Sequence, residues 1–231
     1  MTRPVQALLV AATVLVGAAG CSDDDTSGAT TTTSARAGAT TTTLGGADPG
    51  LDAVLLEATD LPAAFEPAAE VDDTITSFCA THDAAAGLQA SERAVAGFAR
   101  TGGGASVIQL AFRFDGDGAA AFVAQAEAAM ATCSGVPDGS GTGLAFEYEP
   151  LSPAVAEVLA DAGDARTSGF GTSVGSGSLT VAIGVVQRGE VATLVAVLGL
   201  DEPRPALDEL TATAFAAVVE RLNGSEASRG P

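Results

Sequence analysis

The chain lacks or nearly lacks the residues on which many active sites depend. It has no lysine and no tryptophan, and its 231 residues include one histidine, one tyrosine and three cysteines. All 10 basic residues are arginines. Without lysine there is no Walker A phosphate loop and no Schiff-base chemistry. One histidine and three cysteines could form at most one Cys₃His structural zinc site, and only if every one of them took part.

Positive charge is scarce as well. The 10 basic residues face 29 aspartates and glutamates, which gives a formal net charge of −19. Nucleic acids and anionic membrane surfaces are bound through basic faces, so this balance argues against both as partners. The simplest role of such a charge is to keep the protein soluble.

The first 20 residues predict an export signal. Arg3 precedes an apolar run from Ala7 to Val16, and small residues follow it. This order is typical of secretory signal peptides. The apolar run is shorter than the roughly 20 residues that a membrane span needs.

Cys21 follows directly after Ala-Ala-Gly. Small residues before a cysteine resemble the lipobox of bacterial lipoprotein precursors, although Ala18 stands where that class prefers leucine. The resemblance implies that Cys21 receives a diacylglyceryl thioether and becomes the first residue of the mature protein. The chain would then be anchored to the outer face of the cell membrane. An ordinary secreted protein, with Cys21 removed or left as an odd thiol, is the alternative.

Residues 22–49 predict a disordered tether. Nine of these 28 residues are threonines, and Gly-Ala-Thr-Thr-Thr-Thr occurs twice, from Gly28 and from Gly38. Such a composition offers almost nothing that fills a core, so we expect no regular structure. A flexible coil of this length spans about 30 Å. Together with a lipidated Cys21, residues 21–49 would hold the domain clear of the membrane.

Residues 50–224 predict one folded domain, and residues 225–231 a disordered tail. Apolar periodicity predicts helices over 51–58, 118–132, 153–159 and 205–222, and Asn223-Gly224 marks the expected end of the last one. Strands are expected over 75–79, 91–100, 106–114, 145–149, 168–174, 179–186 and 191–200. The strand over 191–200 is apolar on both faces, which predicts a central position. The fold class is therefore α+β, a largely antiparallel sheet packed against two long helices.

Cys79 and Cys133 remain once Cys21 is lipidated. An exported chain with two such thiols usually pairs them, so we expect a disulfide, with two buried free thiols as the alternative. His82 follows Cys79 in a Cys-x-x-His spacing. A metal would need further soft ligands, and only Cys133 is left to supply one. We therefore predict a structural bridge beside a surface histidine, with no bound metal and no cofactor.

Two short motifs resemble sites of chemistry without their context. Gly171-Thr-Ser173-Val-Gly175 matches the nucleophile elbow of hydrolases, but that elbow needs a strand, a turn and a helix, with the histidine downstream. The stretch from Asp115 to Asp117 matches the start of a calcium loop, but the later oxygen ligands are missing. A turn that ends in a helix N-cap explains both aspartates. No catalytic residue follows from the sequence.

The order of these elements resembles a group of actinobacterial lipoproteins and sensor domains, typified by the extracellular domain of PknH-like mycobacterial serine/threonine kinases. The residues that carry the resemblance are Leu55-Leu-Glu-Ala-Thr-Asp-Leu-Pro62, Cys79, Phe112-Arg-Phe114, Ala119-Ala-Ala-Phe-Val123 with Cys133, and Gln187-Arg-Gly-Glu-Val-Ala-Thr-Leu194. The lysine-free, alanine-rich composition fits a high-GC genome. This chain departs from the kinase type in lacking its tryptophans, its second disulfide and a kinase domain. The resemblance implies an α+β fold with a groove for an unidentified ligand, and it transfers no catalytic residue.

These observations predict a membrane-anchored extracytoplasmic lipoprotein with a non-enzymatic, ligand-binding or sensor-like domain. Its partner would be a small molecule, a lipid or an envelope protein, and the sequence assigns no ligand-binding residue. A carrier of lipid or another apolar ligand is the first alternative, and an envelope hydrolase is the second. An apolar pocket of several hundred Å³ would favour the carrier, whereas a shallow polar groove would favour the sensor.

Overall fold

A computed structural model of the chain describes residues 31–36, 39–44, 50–69, 71, 75–137, 144–160, 162–173 and 179–227. Its strands are β1 (Thr31–Arg36), β2 (Ala39–Leu44), β3 (Phe65–Pro67), β4 (Ser77–Cys79), β5 (His82–Asp83), β6 (Ala90–Arg100), β7 (Ala105–Phe114), β8 (Phe146–Glu149), β9 (Ala165–Ser173), β10 (Leu179–Arg188) and β11 (Val191–Leu200). The α-helices are α1 (Gly118–Cys133), α2 (Pro153–Val158) and α3 (Arg204–Ala227). Short 3₁₀ helices span Leu51–Val54 and Ala58–Asp60.

The main sheet is antiparallel between all paired neighbours. Its strand order is β1-β2-β6-β7-β11-β10-β9-β8, and β3 pairs with the end of β6. The short strands β4 and β5 form a separate hairpin. β11 lies between β7 and β10, which confirms the central position predicted from its two apolar faces. The α+β class with a largely antiparallel sheet is likewise confirmed.

Both faces of the sheet are covered, because successive residues of a strand point to opposite sides. α1 packs on one face, over buried residues such as Leu110, Val185 and Leu194. α3 and the first 3₁₀ helix pack on the other face, over residues such as Val107 and Val195. The domain therefore has three layers, with the sheet in the middle.

Each long helix buries the stripe that its sequence predicts. In α1 the buried stripe contains Phe122, Ala126, Met130 and Cys133, and in α3 it contains Leu207, Leu210, Ala214, Val218 and Leu222. α3 also buries Phe215 against Gly184 of β10, where an added Cβ would come within 2.8 Å of the phenyl ring. None of the described helices has both the length and the apolar character of a membrane span.

Two predicted helices differ from the observed ones. α3 continues past Asn223-Gly224 to Ala227, because Gly224 does not adopt the positive φ through which glycine ends a helix. The Ser225 hydroxyl donates a hydrogen bond of 2.9 Å to the carbonyl of Leu222. The single helix predicted over 51–58 is instead two 3₁₀ turns, since residues 55–57 are extended or bent between them.

The backbone of β1 and β2 lies within the threonine-rich stretch, where the composition predicts no regular structure. β2 pairs through residues 39–43 with residues 92–96 of β6. Threonine is β-branched and suits a strand, and β6 offers an edge that β3 covers only at its other end. The remaining residues of the predicted tether, and the predicted signal peptide with Cys21, lie outside the described residues.

Candidate functional site

A groove of about 430 Å³ opens between the last turns of α3 and the two 3₁₀ helices. Its lining consists of Ala53, Asp60, Ala217, Glu220, Arg221, Gly224 and Ser225. The small residues make the space, and the two carboxylates and the guanidinium give it a polar, charged surface. This volume lies within the range of small-molecule sites in proteins.

The sheet fixes the wall that the 3₁₀ helices form. Gln109 of β7 is fully buried, and its amide donates to the carbonyl of Val54 at 2.9 Å. The amide oxygen of Gln109 accepts a hydrogen bond from the N–H of Leu56 at 2.7 Å. Glu92 of β6 accepts a further bond of 2.7 Å from the N–H of Leu51. Side chains of two strands thus hold the backbone on either side of Ala53.

Glu92 is itself paired, as a buried carboxylate must be. The Nε of Arg113 donates to its second carboxylate oxygen at 3.1 Å, and both side chains are almost fully buried. One oxygen of the Glu92 carboxylate therefore accepts a hydrogen bond from the backbone of the first 3₁₀ helix, and the other accepts one from Arg113. This arrangement ties the beginning of the folded domain to the sheet.

Charged groups connect the two sides of the groove. The Nε of Arg221 donates to Asp60 at 2.6 Å, and its Nη2 lies 3.6 Å from a carboxylate oxygen of Glu57. Asp60 also accepts a hydrogen bond from the N–H of Glu57 at 2.7 Å, which caps the second 3₁₀ helix. The hydrogen bond to Asp60 is the main cause that raises the pKa of Arg221 above its ordinary value. The groove therefore keeps a permanent positive charge beside its carboxylates, and Glu220 makes the lining acidic on balance.

A second, smaller cavity lies where the first residues of β7 and β10 meet the last residues of β11. It holds about 220 Å³ and is lined by Gly104, Ala105, Ser106, Leu179, Leu198 and Leu200. Leu200 is 57% exposed, which is unusual for a large apolar side chain in this domain. The lining side chains of the cavity are apolar apart from Ser106, although its surface as a whole is about as polar as that of the groove, and its volume is below that typical of sites for drug-sized ligands.

The structure brings Cys79 and Cys133 together as a disulfide with their Cα atoms 5.6 Å apart. The bridge joins the β4–β5 hairpin to the end of α1. His82 is half-buried rather than on the open surface, and its Nδ1 lies 3.7 Å from the sulfur of Cys79. The hydroxyl of Thr81 lies 3.0 Å from the same nitrogen. The predicted lipidation site, Cys21, lies outside the described residues.

Among the residues that the structure describes, the motifs that match a nucleophile elbow and a calcium loop form neither of these. Ser173 is the last residue of β9, so Gly171 to Ser173 continue a strand instead of forming a turn into a helix. Residues 174–178 lie outside the described part of the chain. Asp117 occupies the N-cap position of α1, but its side chain makes no capping hydrogen bond, so only its place in the turn matches the prediction.

Sequence reasoning missed the residues that build the groove: Glu92, Gln109, Asp60 and Arg221. Glu57 and Asp60 were visible as part of the motif Leu55–Pro62, and their spacing of three residues is that of a capping box. That spacing was a usable signal for a helix start at this point. Nothing in the sequence pairs Asp60 with Arg221, because the two residues are 161 positions apart.

Comparison with known proteins supports the fold. No protein-family profile and no curated protein sequence matches the chain, whereas three solved chains match its structure. One of them is the extracellular domain of PknH from Mycobacterium tuberculosis, with a TM-score of 0.52 and 16% sequence identity. The match covers 74% of this chain and 94% of that one. At this identity the likeness concerns the fold, and it confirms the PknH-like architecture predicted from the order of elements.

Proposed function

We propose that the chain is an extracytoplasmic lipoprotein whose domain binds a polar small molecule without chemical turnover, as a sensor-like module. The groove at the end of α3 carries this proposal, because it has the volume of a ligand site and a charged lining. The PknH-like fold supports it, since the similar structure is an extracellular domain. Cys21 would tether this module to the outer face of the membrane.

The lining of the groove favours a ligand with an amino group. Asp60 and Glu220 provide two carboxylates, and Arg221 provides one guanidinium that is already bonded to Asp60. A fatty chain would desolvate these charges without replacing their partners, which is unfavourable. A ligand with an ammonium group beside Glu220, and with a hydroxyl or carboxylate toward Arg221, would instead form hydrogen bonds with these charged side chains.

A carrier of an apolar ligand is the second candidate function, and the cavity at Leu179, Leu198 and Leu200 favours it. Its volume of about 220 Å³ is enough for a small apolar group and too small for a long acyl chain. The charged groove is the larger of these two spaces, so we rank the binding of a polar ligand first.

Gly224 gives a matched pair of variants for testing the groove. Gly224 lines the groove, and its Cβ position has no heavy atom within 4 Å, so a side chain can be added there without a clash. We expect Gly224→Ala to raise the free energy of unfolding by about 0.5–1 kcal/mol, because glycine is a poor helix residue. Gly224→Trp should fold as well, with its indole ring filling the groove. Urea unfolding measures both.

The same pair tests ligand binding. A water-soluble extract of actinobacterial envelopes should raise the melting temperature of the parent and of Gly224→Ala, because a ligand stabilises only the folded state. Gly224→Trp should show no such increase. An equal increase in all three proteins would place the ligand elsewhere and would reject the groove.

The anchor is tested separately. Expressed with its signal in an actinobacterium, the parent should fractionate with membranes, and its mass should exceed that of the polypeptide from residue 21 by a diacylglyceryl group. Cys21→Ser should remove the modification, and most of the protein should then lie outside the membrane fraction. A parent protein that is released without added mass would reject the lipoprotein part of the proposal and leave the groove untouched.

A further inference from the structure

The cluster of Cys79, Cys133 and His82 plays no part in the proposed ligand groove. One ligand atom from each of these residues lies within 4.8 Å of the other two. We propose that this cluster, once its disulfide is reduced, is a binding site for one soft metal ion, and that Cu(I) fits it best. The disulfide is then the metal-free, oxidised state of the same site.

The composition of the chain makes this convergence notable. The sequence contains three cysteines and one histidine, and the fold brings together here the two cysteines and the histidine that the structure describes. A structural bridge requires two cysteines and no histidine. Nevertheless, the Nδ1 of His82 lies 3.7 Å from the sulfur of Cys79, in the hairpin that the bridge attaches to α1. The hairpin pairs His82 with Cys79, and the Nδ1 of His82 also lies 3.0 Å from the hydroxyl of Thr81, so the turn itself places a third donor beside the bridge.

The chemistry balances with an external dithiol as the reductant. Thiol–disulfide exchange with a thioredoxin-class dithiol converts that dithiol to a disulfide and Cys79 and Cys133 to two thiols. Metal binding then releases the two thiol protons, which leaves two thiolates and a neutral imidazole as ligands. The copper ion is not oxidised or reduced in this step.

The donor set selects the ion. Two thiolates and one imidazole suit Cu(I), which accepts three soft ligands, whereas Zn²⁺ would require a fourth ligand such as water. Among the described residues, no further histidine, cysteine, aspartate or glutamate belongs to the cluster. Three-coordinate Cu(I) is therefore the better match.

The site has a path to solvent. Both sulfurs are buried, but the covering strands β4 and β5 are only three and two residues long, and Thr81 between them is exposed. Phe78 and Ala84 hold the hairpin in the core, so access to the sulfurs is expected through the exposed turn at Thr81. Because the Cα atoms of the cysteines lie 5.6 Å apart, the reduced thiols remain neighbours in the folded protein.

The test uses the chain from residue 21, with Cys21→Ser in every sample so that no other thiol competes. The protein is reduced with dithiothreitol, freed of it under anaerobic conditions, and titrated with Cu(I) in competition with bicinchoninate. We expect one Cu(I) per reduced chain and none per oxidised chain. His82→Asn should weaken the binding by about tenfold or more, whereas Asp83→Asn, an exposed neighbour outside the cluster, should bind like the parent.

The outcomes separate the proposal from a purely structural bridge. Circular dichroism of the reduced protein shows whether the domain is still folded. A reduced protein that is folded and takes no copper would overturn the site. A reduced protein that is unfolded would overturn it as well, whether or not it takes copper. His82→Asn binding as tightly as the parent would also overturn it, because the two thiols would then act alone. If a parallel titration shows that Zn²⁺ outcompetes Cu(I), the assignment of the ion is wrong.

Discussion

Replacing Gln109 with leucine should lower the free energy of unfolding by about 3 kcal/mol. Gln109 is fully buried, and its amide bonds both the N–H of Leu56 and the carbonyl of Val54. Leucine keeps the volume but leaves those two buried backbone groups without partners, and each such loss costs about 1–3 kcal/mol. Urea unfolding measures the change. Hydrogen exchange at Leu56 should accelerate in the same variant, because its amide loses its acceptor.

Gln89→Leu is the matched control, since Gln89 is exposed just before β6. The same chemical change there should alter the unfolding free energy by less than about 0.5 kcal/mol. If the two variants are equally stable, Gln109 does not hold the wall of the groove, and the position of the 3₁₀ helices must have another cause.

Removing the disulfide should have the largest effect on stability. Cys79 and Cys133 are 54 residues apart, and a cross-link over a loop of this length reduces the entropy of the unfolded chain by an amount equivalent to about 4 kcal/mol. The double variant Cys79→Ala and Cys133→Ala should therefore unfold at a markedly lower urea concentration. Alanine avoids burying a new hydroxyl at these two buried positions.

The reduced parent protein is the control for that variant. It keeps both side chains and loses only the cross-link, so in metal-free buffer its unfolding free energy should fall by a similar amount. A loss below about 1 kcal/mol in both samples would mean that the bridge does not constrain the unfolded chain as its loop length predicts.

The strands were the most predictable part of the fold. In β7, Ile108, Leu110, Phe112 and Phe114 alternate with other residues, and the observed strand spans this pattern. The alternation did not reveal that Gln109 is buried as well. A polar residue between apolar ones usually faces water, but here the 3₁₀ helices cover that second face. Burial on both faces depends on elements more than 50 residues away.

The end of α3 shows a different limit of sequence reasoning. Asn223-Gly224 is a good stop signal, yet the helix continues to Ala227. Glycine permits a positive φ without imposing one, so tertiary contacts decide whether the helix ends there. As a result, Gly224 and Ser225 extend the helix along the groove.

The groove itself was not predictable from local patterns. It depends on Arg221 reaching Asp60 across 161 positions and on Gln109 holding Val54 and Leu56. Composition and periodicity describe neighbours in the chain, whereas a site of this kind is set by the packing of distant elements. The pairing of Cys79 with Cys133 was predictable because the sequence contains one further cysteine, Cys21.

Native mass spectrometry of the mature chain, exported and purified from an actinobacterial host, tests the central claim most directly. The account predicts that the parent and Gly224→Ala carry a polar small molecule with an amino group, and that Gly224→Trp is free of it. A parent that shows only the mass of the polypeptide, or a ligand that Gly224→Trp retains, would contradict the account.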